Sequence, residues 1–247
     1  GKDRAAIMMG GADTDQIWFW GGDGFTTLAG RDTPEIVTRV NAAIGAQIAR
    51  AQSPLALPAI CEAKSYPITV RDGFTVGTGR FARDAGDTAR FRGSPELDGA
   101  ALALAAALTQ TMELGRGPAT DLLTIGLSAT DYVGHAYGTE GSEMCLQLLA
   151  LDRSLGDFFT QLDSTGIDYA VMLTADHGGF DMVERHNIHG MPGAARVSPA
   201  IEAKTLAADI GRDLGIESGM LVAGGVPGDF WIDPALTEAD RVRVRDR

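Results

Sequence analysis

Cysteine is nearly absent: two residues in 247, Cys61 and Cys145, far apart in the chain. Neither a disulfide framework nor a thiolate metal site can be read from such a pair, and the redox compartment stays open. Basic charge is also short. Lys and Arg number 21 against 33 Asp and Glu, a net charge of -12, which argues against a nucleic acid or an anionic membrane surface as a general partner, because both reward basic patches. An anionic substrate must be met locally, by a few placed cations or metal ions. Long apolar runs are missing too: the best, Ala100 to Leu108, falls well short of the roughly 18 residues a membrane-spanning helix needs. The chain begins at Gly1 with no Met, no charged n-region and no apolar h-region, an abrupt start that suggests a piece of a longer chain. What is plentiful is apolar residues, 45% of the total. That excludes disorder and predicts one soluble globular domain over residues 1–247, incomplete at both ends.

Short apolar runs closed by glycine pairs, Arg4 to Met9 and Ile17 to Trp20, read as strands. Thr33-Pro34-Glu35 predicts a helix start, followed by Ile36, Val37, Val40, Ile44 and Ile48 at helical spacing. Ser53 to Gly93 carries prolines and glycines among short β-prone pieces, so an irregular insert is expected there. Ser94-Pro95-Glu96 opens a long Ala/Leu helix to about Leu114, and Ser142 opens another with Leu148, Leu151, Leu155, Phe158, Phe159 and Leu162 on one side. Asp121 to Leu127 and Tyr169 to Thr174 read as strands buried on both faces, and strand, helix, strand in this order makes a parallel βαβ unit. The expected fold class is therefore α/β, with a mostly parallel central sheet flanked by helices.

Ligands in open parallel sheets bind beyond the carboxyl ends of the strands. Two such ends carry Asp and His: Asp131 with His135, four apart and so on one face of a helical turn, and the adjacent Asp176 and His177. Taken alone, each pair reads as a helix-surface pair or a capped turn. Together, at neighbouring strand ends, they read as a metal site, with oxygen and imidazole donors that suit zinc, and with manganese, iron or cobalt as competitors. At the start of the chain Lys2 and Arg4 share a face if the segment is extended. That ammonium and guanidinium would suit the terminal oxygens of a phosphate monoester, although the spacing alone is that of an ordinary charged strand entry.

Gly1 to Met9 (GKDRAAIMM), Phe91 to Gly138 with its DYVGHAYG ending, Leu151 to Asp163 (LDRSLGDFFTQLD) and Val171 to Gly179 (VMLTADHGG) resemble the alkaline phosphatase superfamily. Within it they resemble the bacterial single-Lys, single-Arg alkaline phosphatases related to type I phosphodiesterases and nucleotide pyrophosphatases. The resemblance implies that Asp131 and His135 bind one zinc ion and Asp176 and His177 the other. It implies that Lys2 and Arg4 hold phosphoryl oxygens, and that a threonine nucleophile forms a phosphothreonine intermediate in two-metal phosphoryl transfer. It further implies an exported, periplasmic or secreted enzyme acting on small phosphate monoesters, with no nucleic acid as main partner.

The same resemblance puts the family's first metal-binding Asp, its Thr nucleophile and a substrate-binding Asn before the Lys-Asp-Arg motif, and its last zinc-binding His beyond Arg247. The chain alone is accordingly expected to be inactive. Thr26 and Thr27 read as ordinary loop residues, His186 and His189 as polar loop residues near the site, and Asp181 and Glu184 as solvated. Asp152 and Arg153 read as a structural ion pair or cap contact, and Trp18, Phe19 and Trp20 as buried strand aromatics rather than a leaving-group platform. A phosphodiesterase or nucleotide pyrophosphatase, and a non-catalytic metal-binding fragment, are the alternative readings.

Overall fold

A computed structural model of the chain describes residues 1–11, 14–70, 73–216, 221–223 and 228–247. It divides into two compact units, Gly1–Pro192 and Gly193–Arg247. The first contains α1 (Asp3–Gly10), the two-residue strands β1 (Phe19–Trp20) and β2 (Phe25–Thr26), α2 (Glu35–Ile48) and α3 (Ala59–Glu62). After these come β3 (Ile68–Thr69), β4 (Thr75–Val76), α4 (Thr88–Arg92), α5 (Pro95–Thr111), α6 (Ala129–Tyr137), α7 (Ser142–Ser164) and α8 (Val183–Ile188).

The centre of this unit is α5. Ser94 begins it as expected, its Oγ accepting the Glu96 amide at 3.3 Å. Its alanines and leucines are buried nearly all round, because small side chains let a helix approach from either side. On one side Ala100, Ala101, Leu104 and Leu108 pack with Val37, Ile44 and Ile48 of α2 and with Phe25 and Phe91. On the other, Leu102, Ala105 and Ala106 pack with Phe158 and Leu162 of α7. Phe91 is fully buried and stacks on Trp20 with ring centroids 5.4 Å apart; burial of such a side chain contributes roughly 1.5–3 kcal/mol. Arg83 joins the helix ends. It grips both Glu96 carboxylate oxygens at 2.9 and 3.1 Å and donates to the Ile48 carbonyl at the end of α2 at 2.9 Å.

The second unit holds α9 (Ala203–Leu214), the antiparallel pair β5 (Leu221–Ala223) and β6 (Phe230–Ile232), and α10 (Glu238–Arg245). Thr237 caps α10 by accepting the Asp240 amide at 3.2 Å, and Arg243 donates to the carbonyl of Leu214 at 2.6 Å.

Three sequence expectations are changed or met only in part. Arg4 to Met9 is the helix α1, not a strand. Only one of its residues is β-branched, Ala, Arg and Met favour helix, and Asp3 sits in the first turn, where the helix dipole welcomes an acid. The second, the parallel central sheet, is met only in part. Among the described residues the strands pair antiparallel, β1 with β2, β3 with β4 and β5 with β6, and the runs 121–127 and 169–174 lie in no ladder. Their Leu122, Met172 and Leu173 are exposed. An apolar run reports a tendency to be buried in a sheet, whereas a strand also needs a neighbouring backbone to pair with. Third, Leu148 is exposed rather than on the buried side of α7.

The stretch from Ser53 to Gly93 is irregular as expected, apart from α3, β3, β4 and α4; Arg71 and Asp72 within it lie outside the described residues. Cys61 on α3 and Cys145 on α7 form a disulfide, a link that the sequence spacing did not reveal.

Candidate metal centre

The site is built on α6. Its first turn carries Asp131 and its last His135, so the helix dipole favours an anion at one and a cation at the other. Asp131 is the point of convergence. Its Oδ1 lies 3.5 Å from His135 Nε2 and 3.4 Å from His177 Nε2, while its Oδ2 pairs with Lys2 Nζ. Asp176 Oδ2 lies 3.7 Å from His177 Nε2. Thus Lys2, His135 and His177 each approach Asp131, while Asp176 is placed against its neighbour His177. Asp131 is 18% exposed, against 78% for His135, 59% for His177 and 89% for Asp176.

Burial opposes ionisation of Asp131, but the hydrogen bond and charge of Lys2, then His135 and His177, outweigh it and hold the carboxyl below its usual range. His177 is held above the ordinary imidazole range, first by its bond to the Gly178 carbonyl and then by Asp176 and Asp131, against desolvation and Lys2. Its Nδ1 lies 2.7 Å from the Gly178 oxygen. A carbonyl only accepts, so Nδ1 carries the proton, and in the neutral ring Nε2, the nitrogen facing Asp131, is the one with a free lone pair.

These donors fit zinc pairwise. A tetrahedral ion with bonds of about 2.0–2.1 Å separates its ligand atoms by about 3.3–3.4 Å, close to both Asp131 to histidine spacings. Among the described residues, however, no three His, Cys, Asp or Glu side chains stand together as a complete metal-holding group.

Arg4 is less well placed. It lies exposed in the first turn of α1, and residues two apart on a helix point about 200° apart, so the shared extended face predicted for Lys2 and Arg4 does not form. Lys2 is the residue before the helix, in extended conformation, and its backbone amide donates to Ser128 Oγ at 2.9 Å. The Lys2 ammonium also lies 4.9 Å from the Tyr132 ring centroid, and the Arg92 guanidinium 4.8 Å from the same ring.

Sequence reasoning missed what braces the helix. Asp98 of α5, 1% exposed, accepts from the Ala129 amide at 3.0 Å and from Gln147 Nε2 at 3.0 Å. Burial pushes its carboxyl up to about 6, although the Ala129 amide, Gln147 and the Ser128 amide all favour the ionised form. The available signal was an acid set among the alanines and leucines of a buried helix.

At the other end, Asp181 and Arg185 correct the expectation of a solvated Asp181. Both are buried and pair at 2.5 Å. Asp181 accepts the Thr139 amide at 2.7 Å and the Glu140 amide at 3.2 Å, and Arg185 donates to the Tyr137 carbonyl at 3.2 Å. The hydrogen-bonded Arg185 outweighs burial and lowers the Asp181 pKa. Gly138, with φ of 80°, is required here: a Cβ would come 2.3 Å from Asp181 Oδ1. Glu184, expected to be solvated, is half-buried.

His186 lies on α8 and His189 just after it. His189 contacts Tyr66 Oη at 2.8 Å and Glu140 at 3.7 Å, apart from the Asp131 cluster. Arg153 donates to the Leu149 carbonyl rather than pairing with Asp152. Trp18 and Trp20 pack on the α2–α5 core, and Thr26 ends β2, exposed.

The profile of the type I phosphodiesterase / nucleotide pyrophosphatase family matches residues 17–205. Alkaline phosphatase PhoK of Sphingomonas sp is 50% identical over 246 residues, covering 99% of this chain and 44% of that protein. Alkaline phosphatase PhoD of Zymomonas mobilis subsp. mobilis is 39% identical, covering 99% and 43%. The chain therefore spans less than half the length of these curated relatives. The crystal structure of wild-type alkaline phosphatase PafA superposes with a TM-score of 0.79 at 25% identity, over 99% of this chain and 50% of that one, so the fold is alkaline-phosphatase-like.

Proposed function

Because the chain belongs to the type I phosphodiesterase / nucleotide pyrophosphatase family, we propose that it forms part of a metal-dependent phosphate monoester hydrolase of the alkaline phosphatase type. The observation that carries this reading is the gathering of His135, His177 and Lys2 around the two oxygens of Asp131. The names of the relatives favour a phosphatase over the diesterase alternative. Residues 1–247 are read as belonging to a single catalytic domain, since the family match crosses from the first compact unit into the second. We read the runs 121–127 and 169–174 as strand positions of a parallel sheet in the whole enzyme.

Asp131 and His135 would hold one zinc ion, and Asp176 and His177 a second. When bound, zinc supplies Lewis-acid stabilisation of phosphoryl oxygens and lowers the pKa of a hydroxyl nucleophile. The chain's own residues supply the rest. Lys2 brings a positive charge to the Asp131 edge, where it can hold a phosphoryl oxygen. Arg4, exposed in the first turn of α1, is the second cation assigned to the substrate. A monoester dianion offers more charged oxygen to this pair than a diester does. His177, its tautomer set by Gly178, keeps Nε2 directed at the centre. The threonine nucleophile implied by the resemblance is assigned to no residue of this chain.

An exported, periplasmic or secreted location is proposed on the Cys61–Cys145 disulfide, since such bonds persist in oxidising compartments. Among the described residues no helix is long and apolar enough to cross a membrane.

The test uses the full-length protein, with zinc content and hydrolysis of p-nitrophenyl phosphate and bis(p-nitrophenyl) phosphate as readouts. The monoester is expected to be preferred. Asp131→Ala, His135→Ala and His177→Ala should each lower activity at least about 10²–10³-fold, whereas His186→Ala retains most of it. Parental zinc content and rate in Asp131→Ala would overturn the proposal.

A further inference from the structure

Helix α6 lacks a cap of its own. Ser128 stands at its cap position, yet its side chain makes no capping hydrogen bond; its hydroxyl is taken by the backbone amide of Lys2 at 2.9 Å. The open amides of a helix N-terminus need acceptors, and a buried one without a partner costs about 1–3 kcal/mol. The acceptor comes from another element. Asp98 of α5 reaches the Ala129 amide at 3.0 Å with Oδ1, and its Oδ2 is held at 3.0 Å by Gln147 Nε2 from α7. The same Gln147 amide group lies 3.3 Å from Thr130 Oγ1, in the first turn of α6. Asp98 and Gln147 are both fully buried.

We infer that Asp98, oriented by Gln147, is a positioning residue for the metal centre: it supplies in trans the cap that fixes the first turn of α6, and with it the direction of the Asp131 carboxylate. Ser128 extends the device, since the residue freed from capping duty holds Lys2, whose ammonium pairs with the other oxygen of Asp131. The inference rests on the proposed reading of Asp131 and His135 as ligands.

The experiment measures zinc affinity by chelator competition, together with kcat and KM against added zinc, in the full-length protein. Asp98→Ala is expected to bind zinc about 10–100-fold more weakly and to regain activity when zinc is supplied in excess. Asp98→Asn keeps one acceptor for Ala129. Gln147 can reverse its amide to offer Oε1, which has no partner at present, so this variant should restore affinity to within about threefold. Gln147→Leu should give a smaller loss of the same kind, and it decides the matter should Asp98→Ala not fold. Parental zinc affinity in Asp98→Ala, or in Gln147→Leu where that variant decides, would overturn the inference, as would equal losses in Asp98→Ala and Asp98→Asn. Asp131→Ala separates the two failures. If it loses zinc while Asp98→Ala does not, the ligand reading stands and the positioning role falls. If Asp131→Ala keeps its zinc, the ligand reading itself fails.

Discussion

The two Asp-His pairs of this chain are the same chemistry on different supports. Asp131 and His135 sit on a helix held at its start by Asp98 and just beyond its end by Asp181 and Arg185. Asp176 and His177 sit outside any helix or strand, between exposed side chains, Met172 and Leu173 before and Phe180 after. Their local bonds are short-range, the His177 amide to the Asp176 carboxylate and the ring to the Gly178 carbonyl, and His177 also faces Asp131 on α6. The helical pair is thus prearranged by the fold, whereas the second pair depends on what it is tied to. The principal tie is Asp181, four residues past His177, whose carboxylate reaches back to the turn that follows α6.

That contrast can be broken by removing the tie. Arg185→Met leaves the Asp181 charge buried without its partner, and loss of about 3–5 kcal/mol of stability is expected in urea unfolding, with faster amide exchange in residues 176–181 than in α6. Equal exchange in both would erase the distinction. The disulfide gives a second, smaller lever on the helical side, because Cys145 lies in the first turn of α7, which packs against α6. Reduction, or Cys61→Ala with Cys145→Ala, should cost about 2–4 kcal/mol, read as a lower urea midpoint, without altering exchange at 176–181.

The smallest effect is expected from pH. Asp98 titrates near 6 when folded, against about 3.9 in an unfolded chain. The folded state binds this proton more tightly, so the contribution is fully present below about pH 4 and is lost as pH rises through 6. It amounts to about 2–3 kcal/mol. Asp131 and Asp181, both lowered, act in the opposite sense, so the informative quantity is the difference between parent and Asp98→Asn stability profiles. The parent should lose more stability than the variant between pH 4 and 6; parallel profiles would remove Asp98 as the titrating brace.

Helices and their starts were legible where local rules decide them. The Ser94 cap opens α5, and α7 begins at Ser142 on its helical periodicity, because caps and periodicity act over one or two turns. The Asp131 and His135 pairing followed from a spacing of four. The runs 121–127 and 169–174 lie in no ladder among the described residues, and apolar character alone does not say whether a pairing backbone is present. Arg4 to Met9 was misread because a short apolar run suits either a strand or a helix, and the propensity of Ala and Met decided it. Asp98 and Arg185 escaped notice, and Asp181 was read as solvated, since their importance lies in burial, which joins residues more than thirty positions apart.

The disulfide bond joins Cys61 and Cys145 across a sequence separation of 84. A peptide bond cut anywhere inside that ring, including the irregular stretch after α3, leaves both fragments covalently attached. Cleavage by an extracellular protease would therefore nick this chain without releasing either part until a thiol reductant arrived.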